Sequence, residues 1–437
     1  MVRDSPTRVD RRRFIKTAGA SVGIASLAGC PSSSGDGSDG TGGSDGNGDS
    51  SGAATGGGSS GGGPIRIGAL EPFSGPFSFM GNPHMSGLSF AVDEINADGG
   101  VLDQTVEVVQ TDTESDPVTM VNSYTRMVEG ENIVAATGPV SSPAAVRLRS
   151  QAERMEVPVF HHAAGATNVL SKDSRYAFRT VLPPAHASSY SLSRFLGNQD
   201  LGNAGMIVLD DGWGATFGDT LPSYAPQGLD VTSTSAPVSE SNFTPYIREM
   251  PSDLDAMVAT SHPPGIPNIF NQTFEAGLSP SLTTGAIDPA SLYYDAIGDA
   301  VTRGFAAMTA VDFTSDSYTE VASRYTEETG NYFDMPAAAG YVAGKLIAAG
   351  LERSGSADPA ALADAMRGIS FDTLLTQPIE YTEWGELKDM QVLWYGYELE
   401  APSHAPDNPF RLTEQFRTDP LPPFDPDSLE LPDGLSS

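Results

Sequence analysis

From Pro64 onward the apolar and polar positions follow two alternating periods. Ile65, Ile67 and Ala69 to Leu70 form a short apolar run, and Val106, Val108 and Gln110 alternate as strand residues do. Between them Met85, Leu88, Val92 and Ile95 recur at three- and four-residue spacing, which predicts an amphipathic helix terminated by the segment NADGG. Asp116-Pro117 supplies an N-cap and a first-turn proline for a helix bearing Val118, Val121 and Val128. Strands are predicted at Ile133 to Thr137 and Val157 to Phe160, with a helix from Pro143 to Met155 between them.

Strands that alternate with helices imply a parallel sheet in a doubly wound α/β layer. Such sheets bind ligands beyond the carboxyl ends of their strands, where the loops Ser74 to Gly81, Gly138 to Ser142 and Ala163 to Thr167 all emerge. The pattern restarts with apolar runs at Met206 to Leu209, Met257 to Ala259 and Leu282 to Thr284. These end in DDGWGATFG, TSHPPGIP and GAIDP. The expected fold class is therefore α/β, with two lobes built as doubly wound parallel sheets.

The first 63 residues carry a different pattern. The segment DRRRFIKTAGASVGIASLAGC combines paired arginines, a weakly apolar stretch from Ala18 to Ala28, and Leu27-Ala28-Gly29-Cys30. That stretch is too short to span a bilayer and reads as a signal peptide. The arginines resemble a twin-arginine export signal, and the four residues ending at Cys30 resemble a lipobox. Cys30 is the sole cysteine, so it forms no internal disulfide, and lipidation is the use its position suggests. Residues 31–63 are almost only Gly, Ser, Asp, Thr, Ala and Asn, a flexible tether.

Composition narrows the partners. The 437-residue chain has 24 basic and 56 acidic residues, a formal charge of −32, and the basic export segment makes the remainder more acidic still. Nucleic acid and anionic membrane surfaces would not attract such a body. Only Lys16, Lys172, Lys345 and Lys388 are lysines. Many acids and few lysines suit concentrated salt, where a Debye length of about 3 Å at 1 M suppresses self-repulsion, and so suggest a halophilic source.

Gly-, Ser- and Thr-rich turns at strand ends place backbone N–H groups and hydroxyls at helix starts, which favour an anion. Ser141, Ser142 and Thr167 are thus candidates to hold a carboxylate or small oxyanion, although Ser142 could equally cap the helix beginning at Pro143. From Pro64 onward there is no phosphate loop, no GxGxxG after the first strand and no GxSxG elbow. His161 and His162 would point apart on a strand, and His84, His186, His262 and His404 lack ligand spacing, so no metal, cofactor or catalytic residue is indicated.

Several of these segments, in order, resemble the leucine/isoleucine/valine-binding protein family of ABC-transporter solute receptors, with the type I periplasmic-binding-protein fold. They are IRIGALEPFSGPFSFMG, GLSFAVDEINADGGVL, DTESDP, GPVSS, VPVFHHAAGATN, AFRT and DDGWG, and residues 64 to about 400 are covered. The resemblance implies two lobes joined by a three-crossover hinge, 64–183 with 312–376 and 184–311 with 377–415, followed by an extended acidic and Pro-rich tail over 416–437. By position, Ser142 and Thr167 with backbone at Gly165 and Ala166 match the residues that hold a ligand carboxylate. Trp213 and Met80 fall at wall positions. His262 stands where amino-acid binders often carry a phenol, and Asp288 is one residue from the place of the acid that pairs with an ammonium group.

The function so implied is an extracytoplasmic receptor, anchored in the membrane through Cys30, that passes a small ligand to an ABC permease. The ligand would carry a carboxylate, as a branched-chain amino acid, amide or related acid. A sensor of the same fold is the alternative, and an exported enzyme ranks third for lack of a nucleophile, base or metal cluster.

Overall fold

The computed structural model of the chain describes residues 63–138, 140–286 and 289–435; the export segment, Cys30, nearly all of the tether and Asp288 lie outside the described residues. The first strand, β1 (Ile65–Glu71), is buried on both faces, which accounts for its nearly continuous apolar run. Ile65, Ile67 and Ala69 pack on Leu88, Ala91, Val92 and Ile95 of α1 (Ser78–Ala97). Leu70 faces a second cluster with Met120, Tyr124, Leu148 and Ala152. These come from α2 (Pro117–Arg126), which follows β2 (Val106–Asp112), and from α3 (Ser142–Met155), which follows β3 (Ala135–Gly138). Asp116 caps α2, accepting from the amides of Val118 and Thr119 at 2.9 and 2.7 Å. With β4 (Val159–His161) and β5 (Ala177–Arg179) these strands make a parallel sheet in the order β2-β1-β3-β4-β5.

The second lobe repeats the plan. It runs α4 (Ala185–Gly197), β6 (Asn203–Leu209), α5 (Gly212–Tyr224), β7 (Asp230–Ala236), α6 (Thr244–Ile247) and β8 (Ala256–Ala259). Then follow α7 (Gly265–Glu275), β9 (Leu282–Ala286), α8 (Ala290–Ile297) and β10 (Phe305–Thr309). The chain next supplies α9 (Asp316–Thr329), α10 (Met335–Ser354) and α11 (Pro359–Met366) to the first lobe, and ends the second sheet with β11 (Leu393–Glu398) and β12 (Arg411–Arg417). The strand order is β12-β11-β10-β9-β8-β6-β7. The sequence pattern predicts parallel strands throughout; β6 to β10 are parallel, whereas β11 and β12 are antiparallel to their neighbours. No helix separates β11 from β12, so their connection is the kind that joins antiparallel strands.

The chain passes between the sheets near 181–184, 310–315 and 367–392. On the first lobe α10 crosses α1 at glycines. A Cβ at Gly87 would lie 1.9 Å from the Ala337 carbonyl oxygen, and one at Gly340 would lie 2.0 Å from that of His84. Glu94 of α1 ties to this layer through Arg324 of α9 and Lys345 of α10, each at 2.9 Å.

Beyond β12 the C-terminal segment touches both lobes. Asp425 pairs with Lys172 of the first lobe, while Leu429 accepts from the Tyr224 hydroxyl and Phe424 packs edge-on to His186 at 4.7 Å in the second. Among the described residues no helix is long and apolar enough to cross a membrane.

Candidate ligand-binding cleft

The carboxyl ends of β1, β3 and β4 open on a cavity of about 130 Å³ between the lobes. Its first-lobe wall includes Phe77, Val140, Ser141, Ser142, Ala163 and Gly165; Asp211, Trp213, Val238 and His262 face them from the second lobe. Larger hollows exist elsewhere, but the one of about 290 Å³ lies at the amino ends of β9 and β10, and the one of about 480 Å³ lies between α4 and the C-terminal segment. Neither is where an open α/β sheet presents its loops to a ligand.

The GPVSS turn is shaped by its glycine. Gly138 has φ +127°, and a side chain there would put Cβ 2.5 Å from the Leu70 carbonyl oxygen, so β3 can approach β1 and still turn outward. Ser141 occupies the N-cap of α3 without a side-chain capping bond, and Pro143 sits in the first turn. Ser142 is no cap either: its Oγ accepts from the Ala166 amide at 3.0 Å and so binds this turn to the AAGAT turn. The N–H groups of the first turn of α3 therefore have no side-chain partner from the cap residue and lie at the cavity, where the helix end favours an anion.

The opposite wall comes from DDGWG. Asp211 caps α5, accepting from the Gly214 amide at 2.8 Å, and the tight turn needs Gly214, whose Cβ would stand 2.1 Å from the Leu209 carbonyl oxygen. This presents Trp213, 4% exposed, directly on the first lobe: a Cβ at Gly165 would meet its Cζ3 at 2.2 Å. At the rim, Phe77 meets the His262 ring edge-on at 5.0 Å, and His262 Nε2 is 3.8 Å from Asp211 Oδ2. The lobes are in contact across the cavity.

Ser141, Ser142, Gly165, Trp213 and His262 thus come together at one cavity. The other candidates sit elsewhere. Met80 is 1% exposed in the core of the first lobe, because α1 starts at Ser78 and takes into its first turn residues that the sequence pattern assigns to a loop. Ala166 is buried against Ala145, Ala164 and Val169 and offers only its amide. Thr167 turns its hydroxyl to the seam between the lobes, 3.4 Å from His186 Nδ1 and 3.5 Å from Thr216 Oγ1. Burial, then the nearby Arg179, pushes His186 down to about 3, so its ring is neutral. Its Nε2–H is then free to donate to the Asp425 carbonyl at 3.3 Å, leaving Nδ1 to accept from Thr167. Asp288 lies outside the described residues.

Two groups of buried residues escape the sequence reading. Arg179, at the end of β5, donates from Nη1 to the Ala164 carbonyl at 2.7 Å and from Nε to Glu386 Oε1 and Oε2 at 2.9 and 3.0 Å. It fastens the AAGAT turn to the third crossing. Glu71, His84 and His162 form a second, fully buried group at the carboxyl ends of β1 and β4. Burial raises the Glu71 carboxyl, but His84 and His162 beside it outweigh that and hold it at about 2.

A model of the periplasmic binding protein family matches residues 64–398, most of the chain and all of the cleft. The chain belongs to the periplasmic binding protein family. Within it, the chain is 26% identical over 332 residues to Leu/Ile/Val-binding protein homolog 7 of Brucella abortus, an alignment covering 70% of this chain and 82% of that protein. Two solved structures share its fold. The branched-chain amino acid binding protein LivJ of Streptococcus pneumoniae, in complex with isoleucine, has a TM-score of 0.70 at 17% identity, covering 80% of this chain and 99% of LivJ. A solute binding protein of an ABC transporter from Rhodopseudomonas palustris, in complex with 3,4-dihydroxybenzoic acid, has a TM-score of 0.70 at 20% identity, covering 82% and 98%. These likenesses show the two-lobed type I fold for this periplasmic binding protein.

Proposed function

We propose that this periplasmic binding protein is the lipid-anchored receptor of an ABC importer and closes on a small ligand with a carboxylate and an apolar body. The observation that carries the reading is the cavity itself, with the start of α3 on one side and Trp213 lying on Gly165 from the other. The carboxylate would meet the first-turn amides of α3 and the hydroxyls of Ser141 and Ser142, while Phe77, Val140 and Trp213 would enclose the body. A cavity of about 150 Å³ holds a benzene ring, so about 130 Å³ with the lobes in contact suits a small branched aliphatic acid, and a single-ring acid would need the lobes slightly further apart. The ligands named for the two structural neighbours, isoleucine and 3,4-dihydroxybenzoic acid, both carry a carboxylate.

Asp211 is the one acid among the described lining residues and would be the counter-charge of an α-ammonium group, if the ligand has one. We assign the lobes to 64–183 with 312–376 and 184–311 with 377–415. Export through the twin-arginine segment and lipidation of Cys30 would leave the protein outside the membrane on its tether.

Thermal-shift screening of the chain against amino acids, their amides and aromatic acids tests the reading. A carboxylate at 100 times its Kd should stabilise by about 2.7 kcal/mol, and the matching amide should do far less. Ser142→Ala should weaken the effect. Absence of stabilisation by every acid, or equal binding of acid and amide, would remove the carboxylate reading.

A further inference from the structure

Glu71, His84 and His162 are brought together from three separate elements: the last residue of β1, the second turn of α1 and the residue that follows β4. All three side chains are 0% exposed. His84 Nδ1 is 2.8 Å from Glu71 Oε1, His162 Nε2 is 3.5 Å from Glu71 Oε2, and the two imidazoles stack with centroids 3.5 Å apart. Even so, none of the six polar atoms of these side chains is in a well-directed hydrogen bond. Beyond the two ion-pair contacts, His84 Nε2 and His162 Nδ1 have no hydrogen-bond partner, against the rule that buried polar groups are paired and cost roughly 1–3 kcal/mol each when unmet.

Two imidazoles and one carboxylate are a donor set suited to divalent first-row metals. One ligand atom from each residue falls within 4.8 Å of the others. Around a tetrahedral ion with bonds of about 2.0–2.2 Å, donors stand about 3.3 Å apart, so an inward movement on the order of 1 Å completes the set. The rings lie 18° from parallel, so a shared ion would require one imidazole to turn about its Cβ–Cγ bond.

We propose that Glu71, His84 and His162 bind one divalent transition-metal ion of the Zn²⁺ class. The ion cross-links the roots of two cleft loops: Glu71 precedes the Pro72 to Phe77 loop, and His162 precedes the Ala163 to Thr167 turn. The ligands are closed to solvent, which suits a structural role, and three protein donors leave the fourth position of a tetrahedral ion to a water or a backbone carbonyl. The assignment does not rest on the solute-binding reading and holds whichever ligand the cleft takes.

The test uses the full chain without a histidine tag, stripped with chelator and then equilibrated with Zn²⁺ or Co²⁺. About one ion per chain should survive gel filtration, Co²⁺ should give the visible absorption of a low-coordinate site, and the melting temperature should rise with metal. Glu71→Gln and His162→Gln, each checked for folding by circular dichroism, should weaken retention at least tenfold, which separates this site from the acidic surface and tether. Less than about 0.1 ion per chain with no Co²⁺ spectrum overturns the proposal. So does retention that neither substitution changes.

Discussion

Glu386→Ala isolates what holds the AAGAT turn in place. Arg179 is 0% exposed and Glu386 3%, and both carboxylate oxygens lie within 3.0 Å of Nε. Burial pushes the Glu386 carboxyl up and Arg179 opposes it. Removing the carboxylate leaves a guanidinium in the core with one bond, to the Ala164 carbonyl, a loss of about 3–5 kcal/mol for one partner of a buried pair. In reversible urea denaturation the midpoint should fall with little change in slope, and the melting temperature should drop by on the order of 10 °C. Glu386→Gln keeps an acceptor and should lose less. Arg179→Met with Glu386→Leu removes both charges and should recover most of the loss, short by about 1–3 kcal/mol because the Ala164 carbonyl is then unpaired. A single-mutant cost below about 1 kcal/mol, or a double mutant worse than either single, would refute the account.

Gly165→Ala should weaken ligand binding by roughly 5- to 150-fold, the equivalent of about 1–3 kcal/mol of overpacking, because its Cβ meets Trp213 at 2.2 Å. Calorimetry with the acid found by screening measures it, and adding Trp213→Ala should relieve the clash without restoring the wall. Gly87→Ala forces α1 from the Ala337 carbonyl and should cost about 1–3 kcal/mol in denaturant melts, against a helix-propensity gain of about 1 kcal/mol; a net gain in stability would contradict the contact. His186 falls from 6.5 to about 3 on folding, so the unfolded chain binds the extra proton. Its stabilising effect is complete above pH 6.5 and fades as pH drops towards 3, with a slope of about 1.4 kcal/mol per pH unit. His186→Gln should flatten stability against pH in that window by one proton, and an unchanged profile would show the ring to be protonated.

Local chemistry made much of the architecture legible. The Asp116 cap, the Leu88, Val92 and Ile95 stripe and the strand-end turns are each set by residues within a few positions. Trp213 was readable because a cap and two glycines leave it one direction to face. Ser142 was half legible: sequence gave a choice between capping and binding an anion, and the bond to Ala166 is a third use that depends on how β3 and β4 pair. Thr167 lies at the lobe seam because α4 and α5 come against it. The Glu71, His84 and His162 group was out of reach, since ligand spacing is visible only on a single element. His162 separates from His161 as alternation requires, then finds partners from β1 and α1.

The C-terminal segment gives the hinge a fourth connection with different mechanics. A rotation of one lobe on the other changes the distance from Lys172 to Tyr224, and the segment is held near both. Its Lys172 pair is the half-exposed end, with 51% and 37% of the two side chains accessible, whereas the Phe424 end is packed. The Lys172 pair is therefore the weaker of the segment's ties, since ions screen it over a few ångströms in concentrated salt. Raising ionic strength should loosen the segment from the first lobe before it leaves the second.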